Sequence, residues 1–472
     1  MPRKKKKQPT KKIYYIIYLI TLLISIYLIY TIYKLNLIPN KYLIIFTSII
    51  AILNIIALII YKKNRLKFIA ILLDIILLSI SFLGIKYGTE TINFLNNAFN
   101  NNKIERTTYD IVVLKKSKYQ ELKAIANIGY LNEEKEELNQ KIKELNKVNT
   151  NYDDIYTMYE ALLNNKIHAI ILNDSYIDVL KEDYEDIEDK IEIIDTFIIE
   201  TKIEEQEVIK KLKPINIYLS GSDSRSSEIV DKSRSDVNMI ITINPETHKI
   251  LITTIPRDYY VMVHGQTGLK DKLTHAGIYG LDTSRKTVED LFDIKIDYSI
   301  KIGFKSVVEL VDLVGGVDID SDTEFDSYHM KGWHVKKGIN HMDGKKALAY
   351  ARERYAYRTG DRHRIQNQEQ VLEAVLKKLS KSKTLLTKYE KILDSISKFY
   401  KTTIPKEYIT LLIKDQLTNM EEWEIENMTV SGSDLVTNTH TSPKLKRYVM
   451  VPYEKDVKKV TERINEILDE ER

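Results

Sequence analysis

Arginine and aspartate alternate closely in several short stretches of this chain. They are Ser220-Gly-Ser-Asp223-Ser-Arg225, Lys232-Ser-Arg234-Ser-Asp236, Pro256-Arg257-Asp258, and Tyr350-Ala-Arg352-Glu-Arg354 followed by Gly360-Asp361-Arg-His-Arg364. A guanidinium is a planar fork that grips two phosphate oxygens at once and stays charged at any relevant pH, whereas lysine offers only a point charge. Aspartates make no sense as direct phosphate ligands. They suit either holding a hard divalent cation that bridges to phosphate oxygens or orienting the arginines. One Arg–Asp pair alone reads as an ordinary surface salt bridge. Repetition of the device at the ends of apolar runs points instead to one site for a polyanion.

These side chains need rigid elements to hold them. Ile215–Leu219 reads as a strand running into the Ser220-Gly221 turn, and Asn238–Asn244 pairs with Lys249–Ile255 across Pro245-Glu-Thr-His248. Both partners are apolar on two faces, the mark of a central sheet covered by helices. Asp223, Arg225 and Arg257 then lie just past strand ends, where ligands of open α/β sheets bind. Arg352 and Arg354 are two apart, so an extended backbone would aim both to one side. Asp361 is an N-cap candidate, and Arg364 and Gln368 fall four apart on one helical face near a terminus that favours anions. Helical patterns recur at Thr287–Phe292, Phe304–Val314, Lys345–Tyr350 and Ile365–Leu379, with a last strand at Arg447–Val451 and a last helix at Asp456–Leu468. An α-β-α layered domain is predicted.

Other chemistries are absent from the pattern. There are no cysteines, which excludes disulfides and thiolate chemistry. No Gly-x-Ser-x-Gly elbow or Walker A loop is present, and Ser220, Ser222 and Ser224 have no assignable histidine partner. His275, His341 and His363 lack zinc-ligand spacing. Gly315-Gly316 reads as a helix stop. With 71 basic and 67 acidic residues, the net charge of +4 does not argue for nucleic acid.

The first 90 residues are of a different kind. A basic cluster, Arg3 to Lys12, precedes three apolar runs, Ile13–Tyr33, Tyr42–Tyr61 and Phe68–Ile85. Each suits a helix crossing a hydrocarbon core of about 30 Å, the third being the shortest. A cleaved signal peptide fits poorly, because the first run is long and two more spans follow. The N-terminal cluster and the Lys62–Lys67 loop are the basic segments, so both are expected in the cytoplasm and everything after about Tyr87 outside the cell. Asp74 within the third run reads as a packing partner of a neighbouring helix rather than an ion path. Between the membrane and the sheet, residues 91–212 alternate short strands (Tyr109–Leu114, Ile167–Leu172) with a charged surface helix, Asn132–Val148, and close with an acidic stretch, Lys181–Asp195. This region reads as a small α/β accessory domain without a catalytic constellation.

Gly221-Ser-Asp223-Ser-Arg225, Arg234-Ser-Asp236, Ile255-Pro-Arg257-Asp258, Leu313-Val-Gly-Gly316-Val-Asp318, Leu348-Ala-Tyr-Ala-Arg352-Glu-Arg354 and Gly360-Asp361 through Gln368 together resemble the LytR-CpsA-Psr (LCP) family, in motif order over roughly 213–380. Three spans plus an accessory domain resemble its capsule-associated branch. The resemblance implies a membrane-anchored extracellular phosphotransferase, residues 213–472, that moves an anionic glycopolymer, capsular or teichoic-acid-like, from an undecaprenyl-pyrophosphate carrier to peptidoglycan. It places pyrophosphate-binding residues at Arg225, Arg234, Arg257, Arg352, Arg354, Arg364 and Gln368, and Mg²⁺ (or Mn²⁺) at Asp223 and Asp236 with Asp361 nearby. Arg257 and Asp236 are the expected catalytic pair, with Asp236 or Asp223 able to take the acceptor proton. Asn367 departs from the family pattern, in which many members carry another arginine. Helix residues Val307–Val314 and Val371–Leu379 are expected to line a groove for the polyprenyl chain or to form core. The competing readings are a polyprenyl-pyrophosphate hydrolase and a non-catalytic regulator of envelope synthesis.

Overall fold

The computed structural model describes residues 12–63, 66–100, 104–131, 136–181, 183–184, 186–202, 211–222, 232–358, 360–381, 400–419 and 421–471. Asp223 and Arg225 lie outside them, and of Asp361 only the backbone is described.

Three helices open the chain, α1 (Lys12–Leu35), α2 (Asn40–Lys62) and α3 (Lys67–Asn100), each long and apolar enough to cross a membrane. The third is the longest rather than the shortest. No proline lies between Ile85 and Asn100, so the more polar sequence Lys86–Asn100 continues the helix past the apolar run. Asp74 is fully buried between helices and accepts a hydrogen bond from Tyr61 Oη at 2.7 Å, as a packing partner would.

The next unit is a five-stranded sheet ordered β3-β2-β4-β1-β5. Its strands are β1 (Ile104–Leu114), β2 (Asn127–Leu131), β3 (Val148–Tyr152), β4 (Ala169–Asn173) and β5 (Ile191–Lys202), with helices α4 (Glu136–Glu144), α5 (Ile155–Leu163), α6 (Asp174–Leu180) and α7 (Ile187–Lys190). The charged helix is shorter than its composition suggests. Asn146 takes φ 51° and ends it, and Val148 starts a strand instead. The acidic stretch likewise ends in a strand: Ile191–Lys202 pairs with the whole of β1.

The second sheet has six strands in the order β16-β11-β6-β7-β8-β17. Its centre is β6 (Ile215–Ser222), β7 (Val237–Asn244) and β8 (Lys249–Ile255), antiparallel neighbours with Asn238 opposite Ile255 and Asn244 opposite Lys249, as the hairpin pattern predicted. After the short β9 (Tyr260–Val261), β10 (Asp271–Lys272), α8 (Leu273–Ala276) and α9 (Leu281–Phe292), strand β11 (Tyr298–Gly303) joins β6 in parallel. Alternate residues of the central strands enter separate cores. Tyr218, Ile240 and Leu251 pack with Val288 and Ile464, whereas Ile217, Met239 and Ile252 pack with Tyr408. Burial on both faces is why these strands read as unbroken apolar runs.

Helices α10 (Phe304–Leu313), α11 (Gly344–Arg352) and α12 (Asp361–Lys381) flank this sheet, with β12 (Val317–Ser321), β13 (Phe325–Asp326), β14 (His334–Val335) and β15 (Gly338–Met342) between α10 and α11. Asp343 caps α11 by accepting from Lys346 N at 2.8 Å. The chain continues through β16 (Tyr400–Thr402), α13 (Lys406–Asn419), β17 (Glu424–Thr429), β18 (Gly432–Thr437), β19 (Arg447–Pro452) and α14 (Glu454–Asp469). The expected last strand pairs with β18 in a separate ribbon, and β17, absent from the sequence reading, is the strand that extends the main sheet.

Candidate pyrophosphate site

Strand register gathers the charged residues at one edge of the sheet. The C-terminal end of β6 lies beside the start of β7, and the ladder continues as Asp236 N–H donates to Gly221 O at 2.8 Å. Ile255, the last residue of β8, sits opposite Asn238, which puts Arg257 two residues past that end. Gly303, the end of β11, lies opposite Ser222. The carboxyl ends of β6, β8 and β11 therefore share one edge, the position where ligands of α/β sheets bind.

The loop carrying Arg234 and Asp236 is pinned by hydroxyls. Ser220 Oγ and Ser235 Oγ are 2.6 Å apart, Ser222 Oγ donates to Ser233 Oγ at 2.8 Å, and Tyr218 Oη donates to Asn238 Oδ1 at 2.5 Å. Ser233 N donates to Gly277 O (3.0 Å) and Ser235 N to Thr274 O (3.0 Å), while Thr274 N reaches Arg257 O at 2.8 Å. A Cβ on Gly277 would stand 2.3 Å from Ser233 O, so only glycine lets the two segments pass. None of these positioning residues was identified from the sequence. The signal available was the serine at every second position, 220, 222, 233 and 235, since alternate residues of neighbouring strands share a face.

Arg257 Nη1 donates to Asp236 Oδ1 at 2.7 Å, and its Nε lies 3.6 Å from Asp258 Oδ2; Lys272 Nζ is 3.4 Å from Asp258 Oδ1. Burial on its own pushes the Asp236 carboxyl up. The guanidinium charges of Arg257, Arg364 and Arg234 outweigh it and hold the group below the usual carboxylate range. Asp236 is thus ionised at neutral pH and surrounded by three of the predicted arginines. Arg352 is the last residue of α11 rather than part of an extended segment, because Ala347-Leu-Ala-Tyr-Ala351 continues the helix up to it. The chain becomes extended only at Glu353, and Arg354 turns to Tyr355, donating to its Oη at 2.6 Å. Asp361 is the first helical residue of α12, preceded by Gly360 at φ 54°, whose carbonyl accepts from Arg364 N at 3.2 Å.

Behind this edge the sheet and three helices line an apolar cavity of about 100 Å³. Leu219, Val237 and Met239 form its floor; Val307 and Leu310 of α10 and Val371, Leu372 and Val375 of α12 form its walls. Arg352 and Gln368 are the polar residues that line it. The two helical stretches named as groove or core do both, since Val311, Val371 and Val375 are also buried in the adjoining core.

The LytR_cpsA_psr family profile matches residues 179–464. The chain belongs to this family. Among curated relatives, the polyisoprenyl-teichoic acid–peptidoglycan teichoic acid transferase TagU of Bacillus cereus (strain AH820) is 38% identical over 223 residues, 46% of this chain and 71% of that protein. Biofilm regulatory protein A of Streptococcus mutans is 34% identical over 257 residues, 49% of this chain and 62% of that one. The crystal structure of B. subtilis TagV is 28% identical, covering 56% of this chain and 100% of that chain, with a TM-score of 0.47.

Asn367, expected to stand where the resemblance puts an arginine in many members, is fully buried and turned to the core, its Nδ2 donating to Tyr350 O at 3.0 Å. An arginine there would meet α11 rather than the open edge. Divalent metal is a further LCP expectation. No group of three or more His, Asp or Glu converges among the described residues. Mg²⁺ commonly uses only one or two carboxylates and takes its remaining oxygens from phosphate and water. Of the three expected metal aspartates only Asp236 has a described side chain, and its Oδ1 is taken by Arg257.

Proposed function

We propose that this protein is a membrane-anchored phosphotransferase that passes an anionic glycopolymer, capsular or teichoic-acid-like, from an undecaprenyl-pyrophosphate carrier to peptidoglycan. The observation that carries it is the junction of two unlike surfaces. Arg352 lines an apolar cavity together with Gly221, whose carbonyl accepts from Asp236 N–H, so the charged edge adjoins an apolar space, as a pyrophosphate joined to a polyprenyl chain requires. The teichoic acid transferase name of the TagU relative agrees with this class of reaction. Basic residues flanking the helices orient the anchor, with the Lys62–Lys67 loop in the cytoplasm and the two sheets outside.

In the reaction, an acceptor sugar hydroxyl attacks the phosphorus bearing the polymer, a phosphodiester forms, and the bond to polyprenyl phosphate breaks. Arg234, Arg257 and Arg364, with Arg225, Arg352 and Arg354, hold the pyrophosphate oxygens as charge moves onto the leaving phosphate. Gln368 donates at the cavity mouth. Asp236 fixes Arg257 and, with Asp223 and Asp361, would hold Mg²⁺ or Mn²⁺, whose charge would neutralise phosphoryl oxygens. A depressed pKa makes Asp236 a weak proton acceptor. Phosphoryl transfer is largely dissociative, so little deprotonation is needed early, and a carboxylate, Asp236 or Asp223, suffices.

The test supplies lipid-linked polymer and peptidoglycan fragments together to the full-length protein. Polymer–peptidoglycan conjugate is expected. Release of free polymer phosphate without conjugate would assign a hydrolase instead, and no turnover with intact lipid binding would assign a non-catalytic regulator.

A further inference from the structure

We propose that Tyr328 and Tyr355 form a stacking platform for a pyranose ring of a glycan, beside the pyrophosphate arginines. The proposal rests on the phosphotransferase reading and adds a sugar subsite to it. The two side chains are 64% and 54% exposed, yet their ring centroids are only 4.2 Å apart, with planes inclined at 44°. Paired aromatic faces left in water are an unusual surface for a loop.

That surface is built. Glu353, fully buried between Arg352 and Arg354, accepts Tyr328 N–H on Oε2 at 2.8 Å, and Arg354 N–H and Tyr355 N–H on Oε1 at 3.1 and 3.0 Å. A buried carboxylate is costly unless its oxygens are satisfied. Here they are satisfied by the backbone that carries both tyrosines, which locks the rings to the arginine segment. The Arg354 guanidinium lies 4.7 Å from the centre of the Tyr355 ring.

Hydroxyl partners are at hand. The His329 ring is 5.4 Å from that of Tyr328, and its Nε2 is 2.9 Å from Arg352 O. A carbonyl only accepts, so Nε2 carries the proton. Burial, and then the Arg352 charge, push the imidazole pKa down, which leaves Nδ1 free of a proton as an acceptor. A pyranose presents C–H groups on its face and hydroxyls around its rim. The tyrosine rings match the face; Nδ1 of His329 and the Tyr355 hydroxyl, held by Arg354, match the rim. The ligand class is a hexose or N-acetylhexosamine ring, supplied either by the first sugars of the lipid-linked donor or by the acceptor glycan.

The experiment compares Tyr328→Ala and Tyr328→Phe with wild type in full-length protein, using three probes: peptidoglycan glycan strands, polyprenyl pyrophosphate bearing one sugar, and polyprenyl pyrophosphate without sugar. Tyr328→Ala is expected to weaken a sugar-bearing probe about tenfold while Tyr328→Phe stays within about twofold, and binding of the sugar-free lipid is unchanged. Loss confined to glycan strands assigns the acceptor; loss confined to the sugar-bearing lipid assigns the donor. Unchanged binding of both sugar probes overturns the platform, as does equal loss on all three probes. Altered association with sugar-free lipid vesicles in place of glycan binding also overturns it, and marks the pair as a membrane contact. Should Arg257→Ala leave sugar-free lipid binding intact while Tyr328→Ala weakens glycan, the pyrophosphate reading falls and the platform stands.

Discussion

Replacing Arg257 with alanine separates two jobs this side chain performs. In the folded protein it donates to Asp236 at 2.7 Å with both side chains mostly buried, 23% and 15% exposed. Breaking a fully buried pair costs about 3–5 kcal/mol and an exposed one under about 1. Arg234 and Arg364 still face Asp236, so the expected loss is about 2 kcal/mol, the size of one charge-assisted hydrogen bond. For a domain of this size that lowers the melting temperature by about 4–8 °C. The loss in turnover is larger, about 10²–10³-fold, because a charge aimed at the transition state is removed. The Asp236→Asn/Arg257→Ala double variant distinguishes the jobs. The double variant is expected to lose less stability than the two single variants added together, a coupling measurable in a thermal double-mutant cycle. Turnover stays low, since the phosphate contact is not restored. Polyprenyl-pyrophosphate binding is measured alongside. Unchanged lipid binding in Arg257→Ala, or recovered turnover in the double variant, would refute the assignment of this arginine to pyrophosphate.

The cavity, the loop and a buried acid give further tests. Val307→Trp projects bulk into the cavity and is expected to reduce affinity for long-chain polyprenyl pyrophosphate at least about tenfold while inorganic pyrophosphate binds as before; equal affinity for the lipid would place the chain elsewhere. Gly277→Ala puts a Cβ 2.3 Å from Ser233 O and must displace the Arg234–Asp236 loop, so turnover should fall more than the melting temperature does. Glu369 on α12 is buried, which raises its pKa above the ordinary 4.5, partly offset by the hydroxyl of Thr429 at 2.6 Å. A raised folded pKa gives stability that is full below about 4.5 and is lost as pH rises through the folded value. Glu369→Gln should flatten that fall, seen as a smaller drop in melting temperature between pH 4 and pH 8; an unaltered profile would show that Glu369 is not its source.

Residue type and spacing carried much of the site's chemistry but little of its mechanics. The Asn238–Asn244 and Lys249–Ile255 strands were legible because burial on both faces leaves unbroken apolar runs, and their register then follows from the short hairpin between them. Arg352 was misjudged for the opposite reason. Two arginines at i and i+2 suit a strand, but the Ala-Leu-Ala-Tyr-Ala run before them favours helix, and local propensity together with the Asp343 cap prevailed. Asn367 shows a different limit. Helical spacing placed it next to Gln368, but only packing reveals that one of these neighbours faces the cavity and the other the core. Glu353 is the clearest case. It stands between two arginines in sequence, yet its oxygens serve backbone N–H groups of Tyr328, Arg354 and Tyr355. The contact to Tyr328 spans 25 residues of chain and has no periodic signature. Positions such as Ser233, Ser235, Gly277 and Glu353 pin the segments that carry the arginines. Their roles arise from contacts between distant segments, which composition and periodicity do not encode.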